Sequence, residues 1–256
     1  MRNFKLLIEY EGTNYWGWQI QNLKSKIKNQ KLKIRTVQGE IEKALKKIFG
    51  KSIRLIGSGR TDAGVHALGQ VANFKVNTKI KPTNIKDDLN RYLPPDIRIV
   101  NIEEVEENFH ARFSARAKIY RYFILNRRVP SAFYRNYSWW VKEKLDFQVM
   151  RKAARIFLGT HDFKSFASTD PKRKSDNFVR TIKKVLLKKH KHFIIFEIEA
   201  DGFLHNMVRN MVGTLVEVGK GKLTPFDVEN ILKSHDRRFA PPPAPSQGLF
   251  LVKVKY

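Results

Sequence analysis

Apolar residues recur along this chain with two different spacings. Alternation of apolar and polar residues predicts half-buried strands, whereas apolar residues three and four positions apart predict a helix with one buried face. In the first part of the chain, alternation predicts strands over residues 4–10, 53–56, 70–76 and 97–105. Helical spacing predicts one helix from Thr36 to Gly50 and another over residues 83–93. The predicted order is strand, helix, strand, strand, helix, strand.

The second part of the chain follows a similar order in coarse form. Strands are predicted over residues 118–125, 179–187, 193–199 and 249–255, and helices over residues 146–158, 206–218 and 225–233. Thr224 followed by Pro225 is a typical helix start. A split pattern of this kind indicates an α+β fold with two ferredoxin-like halves. We place these domains at residues 1–108 and 109–256.

The charge balance of the chain indicates the kind of partner that it binds. Lys and Arg number 50 against 24 Asp and Glu, which gives a formal net charge of +26. This excess favours a polyanionic partner such as nucleic acid, because each phosphate contact releases counterions. A compositional bias toward Lys would also raise the total, and the two explanations are compatible.

Several classes of protein are disfavoured by what the sequence lacks. The chain has no cysteine, which excludes a disulfide scaffold, a cysteine nucleophile and cysteine-ligated metals. It has no apolar run of 18 residues, and its start runs directly into a strand pattern. We therefore predict that the chain has neither a membrane segment nor a signal peptide. We also predict that the protein is cytoplasmic. The histidines are scattered, and no metal site is predicted.

A glycine-rich stretch, residues 57–66, presents Arg60, Thr61 and Asp62 between two predicted strands. It lacks the third glycine of a dinucleotide fingerprint and the lysine of a P-loop. Glycines permit tight backbone turns, and a loop held by flanking strands can aim one carboxylate. From the residues alone, an ordinary turn in which Asp62 caps its own backbone stays open as the alternative.

Two further clusters carry candidate chemistry. Basic and aromatic residues interleave over residues 109–122, a composition that binds unpaired bases and phosphates, or that forms a half-buried strand with charged outer residues. Arg209 lies in a predicted helix that is apolar nearly all round. A buried guanidinium is costly without an anion. Arg209 therefore predicts a carboxylate partner from elsewhere in the fold, unless its side chain reaches the surface.

Residues 57–66, followed by Gly69-Gln70-Val71, strongly resemble the catalytic motif of the tRNA pseudouridine synthase A family. Further similar blocks follow in the family's order along almost the whole chain, at residues 8–13, 17–19, 36–40, 109–122, 179–182, 203–213 and 248–251. The Lys-rich segment 23–35 looks longer than the family's usual link. The resemblance implies RRM-like halves related by pseudo-two-fold symmetry, with a mainly antiparallel sheet and a central catalytic cleft.

The resemblance also implies roles for particular residues. Asp62 matches the family's catalytic aspartate, and Arg209 matches the basic residue that pairs with it. Tyr120 matches the tyrosine that stacks on the target base. Arg60 matches an arginine that splays the target nucleotide outward, and Leu249 stands where an apolar residue shapes the pocket.

The function implied by this resemblance is isomerisation of uridine to pseudouridine at tRNA positions 38, 39 and 40, in the anticodon stem-loop. It implies no cofactor and no metal, and a homodimer in which each RNA lies across both subunits. Two alternatives stay open. One is a non-catalytic RNA-binding protein on the same fold, and the other is a sister synthase that chooses a different site in tRNA.

Overall fold

The chain divides into two units, each built from strands of a mainly antiparallel sheet and the helices beside them. A computed structural model describes residues 1–19, 34–168 and 177–256. The first unit comprises Met1–Arg116 with Leu251–Tyr256, and the second comprises Ala117–Phe250. The Lys-rich segment 23–35 lies mostly outside the described residues. The domain division at residues 108 and 109 stays a prediction.

The first unit follows the predicted order of elements. Its elements are β1 (Arg2–Tyr10), α1 (Val37–Phe49), β2 (Ile56–Gly57), β3 (His66–Val76), α2 (Pro82–Tyr92) and β4 (Ile97–Val105). β1 lies between β3 and β4 and is antiparallel to both, and β2 pairs with β3. The last strand of the chain, β10 (Leu249–Lys255), lies beside β3 on its other side.

Local sequence signals account for the ends of α1. The Thr36 side chain accepts a hydrogen bond from the Gly39 amide at 3.2 Å, which satisfies an otherwise unpaired donor of the first turn. Gly50 ends the helix in the left-handed conformation, with φ of 69°, and donates its amide hydrogen to the Lys46 carbonyl. Both ends were predicted from the sequence and are confirmed.

The core of the first unit begins on alternate residues of β1. Phe4, Leu6, Ile8 and Tyr10 are all buried, as the alternation predicts. Phe4 stacks on Phe74 of β3 with the ring centroids 5.4 Å apart.

One predicted strand of the first unit is wrong and another is too short. Over residues 53–56, the backbone of Leu55 bonds to side chains of α1, donating to the Glu42 carboxylate at 3.0 Å and accepting from the Gln38 amide at 3.1 Å. Only Ile56 and Gly57 therefore join the sheet. β3 begins at His66 and not at residue 70, because burial on both faces hides the alternation there.

The second unit holds more elements than the sequence predicts. They are β5 (Ala117–Asn126), β6 (Trp139–Val141), α3 (Phe147–Ala154), β7 (Gly159–Asp162), β8 (Val179–His190), β9 (Phe193–Ala200), α4 (Met207–Gly219) and α5 (Pro225–Ser234). The strands lie in the order β6, β5, β9, β8, β7, and all of these pairs are antiparallel except β5 with β6. β6 and β7 have three and four residues, too few to show alternation.

Helix α4 is buried on nearly every side, as its composition predicts. Eleven of its thirteen residues are buried, including the polar residues Asn210 and Thr214. The predicted helix over 146–158 is shorter in the structure: α3 ends at Ala154 and a turn of 3₁₀ helix follows over Arg155–Phe157. The α+β class and the mainly antiparallel strands are confirmed in each unit. The pseudo-two-fold relation and the central cleft stay predictions.

Candidate active site

A buried polar network joins the glycine-rich loop of the first unit to β3. The Gln70 side chain accepts from the Ser58 hydroxyl at 2.7 Å and donates to the Gly59 carbonyl at 3.1 Å. Ser58 and Gln70 are fully buried, so breaking either bond would leave a polar group unsatisfied in the interior. The start of the loop is therefore fixed to β3.

The residues before α1 hold the same loop from another side. The Trp18 amide donates to the Thr61 carbonyl at 3.1 Å, and the Val65 amide donates to the Asp62 carbonyl at 3.2 Å. Gly17 has a φ of 84°, and a Cβ there would collide with the Thr61 carbonyl oxygen. The peptide groups on both sides of Asp62 are thus hydrogen-bonded. Asp62 is half-buried, and these backbone bonds help to fix the position of its Cα.

Thr61 anchors the loop through its side chain as well. Its hydroxyl lies 2.8 Å from the Tyr10 hydroxyl in a buried contact. Burial raises the pKa of the Tyr10 phenol well above its usual value, so this hydroxyl stays protonated at neutral pH. The residue before Asp62 is therefore tied to the core strand β1.

Arg60 and His66 differ in exposure although both lie in the predicted motif. Arg60 is exposed, and its Nε donates to the Gln19 side chain at 2.9 Å. His66 is buried, and its Nδ1 accepts the Gly12 amide hydrogen at 3.0 Å. That bond requires a ring without a proton on Nδ1, so His66 secures the loop in its neutral form.

Tyr120 lies on β5 of the second unit, opposite Ile198 of β9. Its side chain is 8% exposed, and its ring meets the Phe203 ring edge-on with the centroids 5.0 Å apart. Aromatic pairs favour this arrangement, and it restricts the orientation of the Tyr120 ring.

Arg209 lies in the first turn of α4 with its guanidinium held by two neutral acceptors. Nε donates to the Ala244 carbonyl at 2.7 Å, and Nη1 donates to the Asn206 side-chain oxygen at 2.9 Å. The Ala244 amide in turn donates to the Arg209 carbonyl at 3.0 Å. Arg209 is half-buried. Its exposure is therefore intermediate between the two alternatives from the sequence, a buried guanidinium and a side chain that reaches the surface. Its pairing with Asp62 stays a prediction.

The proline-rich stretch 240–245 packs against α4. Ala244 is fully buried, and a Cβ on Gly213 would collide with the Pro242 carbonyl oxygen. This close approach explains a glycine in the middle of a buried helix. The stretch thereby places the carbonyl that orients Arg209.

Tyr122 connects Arg209 to the start of β10. Its hydroxyl donates to the Pro245 carbonyl at 2.7 Å, and its ring fills the space that a Cβ on Gly248 would need. Burial raises the pKa of Tyr122, an effect that the positive charge of Arg209 reduces. Leu249 follows this glycine and is 5% exposed. The sequence places Tyr122 in the basic and aromatic cluster 109–122 but gives it no role of its own, because only its contacts distinguish it from other aromatic residues on a strand.

The described parts of the chain contain neither a candidate membrane span nor a candidate metal site. No helix there is long and apolar enough to cross a membrane. No group of three His, Cys, Asp or Glu side chains within those parts could hold a metal ion.

The sequence matches the model of a known family, described as tRNA pseudouridine synthase, over residues 6–114 and 153–256. The chain belongs to this family. The matched ranges include Asp62, Arg209 and Leu249, while Tyr120 lies between them. The family is one of isomerases, which confirms the enzyme class that the loop motif predicts.

Curated relatives match the chain along its full length. A protein named tRNA pseudouridine synthase A from Acetivibrio thermocellus is 50% identical over 256 residues, and one of the same name from Thermoanaerobacter sp. is 48% identical. A tRNA pseudouridine synthase A 2 from Clostridium perfringens is 46% identical. Each match covers 100% of both chains.

Among solved structures, the chain matches one titled "Crystal Structure of a Cbf5-Nop10-Gar1 Complex". The match has a TM-score of 0.32 and 13% identity and covers 84% of this chain and 54% of that one. Similarity this low supports no conclusion about function.

Proposed function

We propose that this chain isomerises uridine to pseudouridine in tRNA, at positions 38, 39 and 40 of the anticodon stem-loop. The observation that supports this most strongly is the placement of Asp62. It is half-buried on a loop that is bonded to β3, to β1 and to the residues before α1. A carboxylate held in this way meets the demand for a group fixed within a fraction of an ångström of its reacting position.

The proposed reaction rearranges bonds without losing any heavy atom. The bond between N1 of uracil and C1′ of ribose breaks, the base turns, and C5 bonds to C1′. The proton on C5 leaves, and N1 gains one, so the overall change is an isomerisation. One ionised carboxylate beside the sugar and base suffices for this chemistry, and Asp62 is the residue that we assign to it.

Arg209 is the residue that we propose as the ion-pair partner of Asp62. A guanidinium beside a carboxylate favours its ionised form and restricts its rotamers. The bonds from Arg209 to Ala244 and Asn206 support this role, because they orient the planar group before any substrate binds.

The target nucleotide must leave its stack, which costs a few kcal/mol. We assign three residues to this step. Tyr120 would stack on the extruded base, which offsets about 1–3 kcal/mol. Exposed Arg60 would contact the splayed nucleotide, and buried Leu249 would shape the pocket for the base.

We also propose that the protein acts as a homodimer without a cofactor. Light scattering on the purified chain tests the first statement, and a mass of about twice 30.0 kDa is expected. A mass equal to one chain, at the concentration used for activity assays, would contradict it.

Mapping of pseudouridine in tRNA tests the proposed function. Unmodified tRNA transcripts with uridine at positions 38, 39 or 40 are incubated with the enzyme and a chelator, treated with a carbodiimide that marks pseudouridine, and read by primer extension. Stops at these three positions are expected. Stops elsewhere in the tRNA would favour the sister synthase. Binding without any stop would favour the non-catalytic RNA-binding protein.

A further inference from the structure

Residues 109–116, which we call the FH turn, are anchored more tightly to the first unit than an exposed connection requires. Asn3 donates its side-chain amide to the Phe109 carbonyl at 2.9 Å, and Asn73 accepts the Ala111 amide hydrogen at 2.9 Å. Tyr256 donates its hydroxyl to the Ala111 carbonyl at 2.8 Å. Asn3 and Asn73 are buried and bonded to each other. The backbone of the turn is therefore rigid.

This rigid turn presents one large apolar ring to solvent. Phe113 is 77% exposed, and its ring stacks on the His110 imidazole with the centroids 4.3 Å apart and the ring planes inclined by 30°. His110 Nδ1 also accepts the Phe113 amide hydrogen at 3.2 Å, so one histidine supports both the backbone and the ring. One face of Phe113 is thus covered by His110, and the ring is held in place before any partner arrives.

The charges around the FH turn favour a nucleic acid over an apolar partner. Arg112 and Arg116 are exposed, and the Arg112 guanidinium lies 5.6 Å from the centre of the Phe113 ring. Glu106 and Glu107, which precede the turn, are exposed as well. The turn itself contains no acidic residue, and the whole chain carries +26. An aromatic ring next to arginines is the combination that binds unpaired bases together with their phosphates.

We propose that Phe113 is a stacking platform for an unpaired base of the tRNA, other than the target uridine. The inference rests on the proposed function, since it names a second contact with the same substrate. His110 covers one face of the Phe113 ring, and the base stacks on the other face. Arg112 and Arg116 contact the neighbouring phosphates. A purine or pyrimidine is equally suitable, because every base offers a flat face.

Equilibrium binding of unmodified tRNA tests this proposal. Phe113→Ala should weaken binding about five- to 150-fold, which corresponds to the loss of one stacked base. Phe113→Trp should restore most of the affinity, because it restores the ring. Phe226→Ala is the matched control, since Phe226 is 68% exposed beside Asp227 and should leave binding unchanged. Melting curves should be alike for all these variants, as exposed residues contribute little to the core.

A second measurement identifies what the ring contacts. A tRNA in which single unpaired nucleotides are made abasic should lose the effect of Phe113→Ala at one position only. Equal binding by wild type and Phe113→Ala would overturn the proposal. So would a change from dimer to monomer in Phe113→Ala, because the ring would then belong to a contact between copies of the chain. Failure of the proposed function would be distinguishable from failure of the Phe113 proposal, because the wild-type protein itself would then form no pseudouridine.

Discussion

At the level of single residues, two contacts with uncharged groups orient Arg209. Its guanidinium donates to a backbone carbonyl of the proline-rich stretch and to the side chain of Asn206. These two bonds direct the plane of the guanidinium. In the pairing with Asp62 that we propose, this orientation sets the direction of the guanidinium.

Two substitutions of Arg209 distinguish the contribution of its positive charge from that of its planar shape. Arg209→Lys keeps the charge but loses the planar fork, so it should fold and retain partial activity. Arg209→Met removes the charge, so the pKa of Asp62 should rise and the acid limb of the pH–rate profile should move to higher pH. We expect activity to fall by at least about 100-fold, because a preorganised charge contact is lost.

The matched control for these variants is Arg237→Met. Arg237 also bonds to α4 and to the proline-rich stretch, through the Asn210 side chain at 3.0 Å and the Pro241 carbonyl at 2.9 Å. Its loss should lower the melting temperature and leave the pH–rate profile unmoved. A fully active Arg209→Met enzyme, or a profile shifted equally by both Met variants, would contradict the assignment.

At the scale of elements, the loop that carries Asp62 depends on the segment that precedes α1. Gly17 adopts a φ of 84°, and its missing Cβ allows the loop to approach. Gly17→Ala should add backbone strain of about 1–2 kcal/mol and also push the loop outward. A displacement of about 1 Å is enough to lower kcat roughly 100-fold.

Gly50→Ala is the control that distinguishes the effect of backbone strain from the effect of displacing the loop that carries Asp62. Gly50 has a similar φ of 69° at the end of α1, and nothing lies within 4 Å of the position of its missing Cβ. Both variants should melt at lower temperature, and only Gly17→Ala should lose activity. Steady-state kinetics beside melting curves measure both effects. Wild-type kcat in Gly17→Ala would show that the segment does not position the loop.

Local signals predict the elements that local chemistry determines. Thr36 and Gly50 mark both ends of α1, and the bounds of β4 agree with the alternation over residues 97–105. The strand predicted over residues 53–56 fails because its backbone bonds to side chains of α1, which periodicity does not show.

The same limit applies to the candidate site. Asp62 and Arg209 stand out in the sequence, the first by its glycine-rich motif and the second by its apolar helix. Ser58 and Gln70 also lie in this motif, but residue types do not show which contacts support Asp62 and Arg209. The bond between Ser58 and Gln70 joins residues twelve apart, and the bond from Arg209 to Ala244 joins residues 35 apart. Such contacts depend on the fold as a whole, and residue types alone do not specify them.

At the scale of the whole molecule, the net charge of +26 is the feature that most concerns the substrate. Each phosphate contact contributes a slope of about −0.9 to the dependence of log affinity on log salt concentration. Contact with as few as two phosphates therefore weakens tRNA binding about tenfold between roughly 50 and 200 mM monovalent salt. Fluorescence anisotropy with labelled tRNA measures this slope. An affinity that stays constant over this range would show that the charge reflects composition and not a binding surface.

Single-turnover release of tritium from C5 of uridine in tRNA measures whether Asp62 supplies the carboxylate of the reaction. Asp62→Asn keeps the size of the side chain but removes its capacity to act as a nucleophile or base. With enzyme in excess, wild type should release the tritium of each target uridine. Asp62→Asn should bind the same tRNA within a few-fold and release none. Release by Asp62→Asn at a rate near that of wild type would show that Asp62 does not supply this carboxylate.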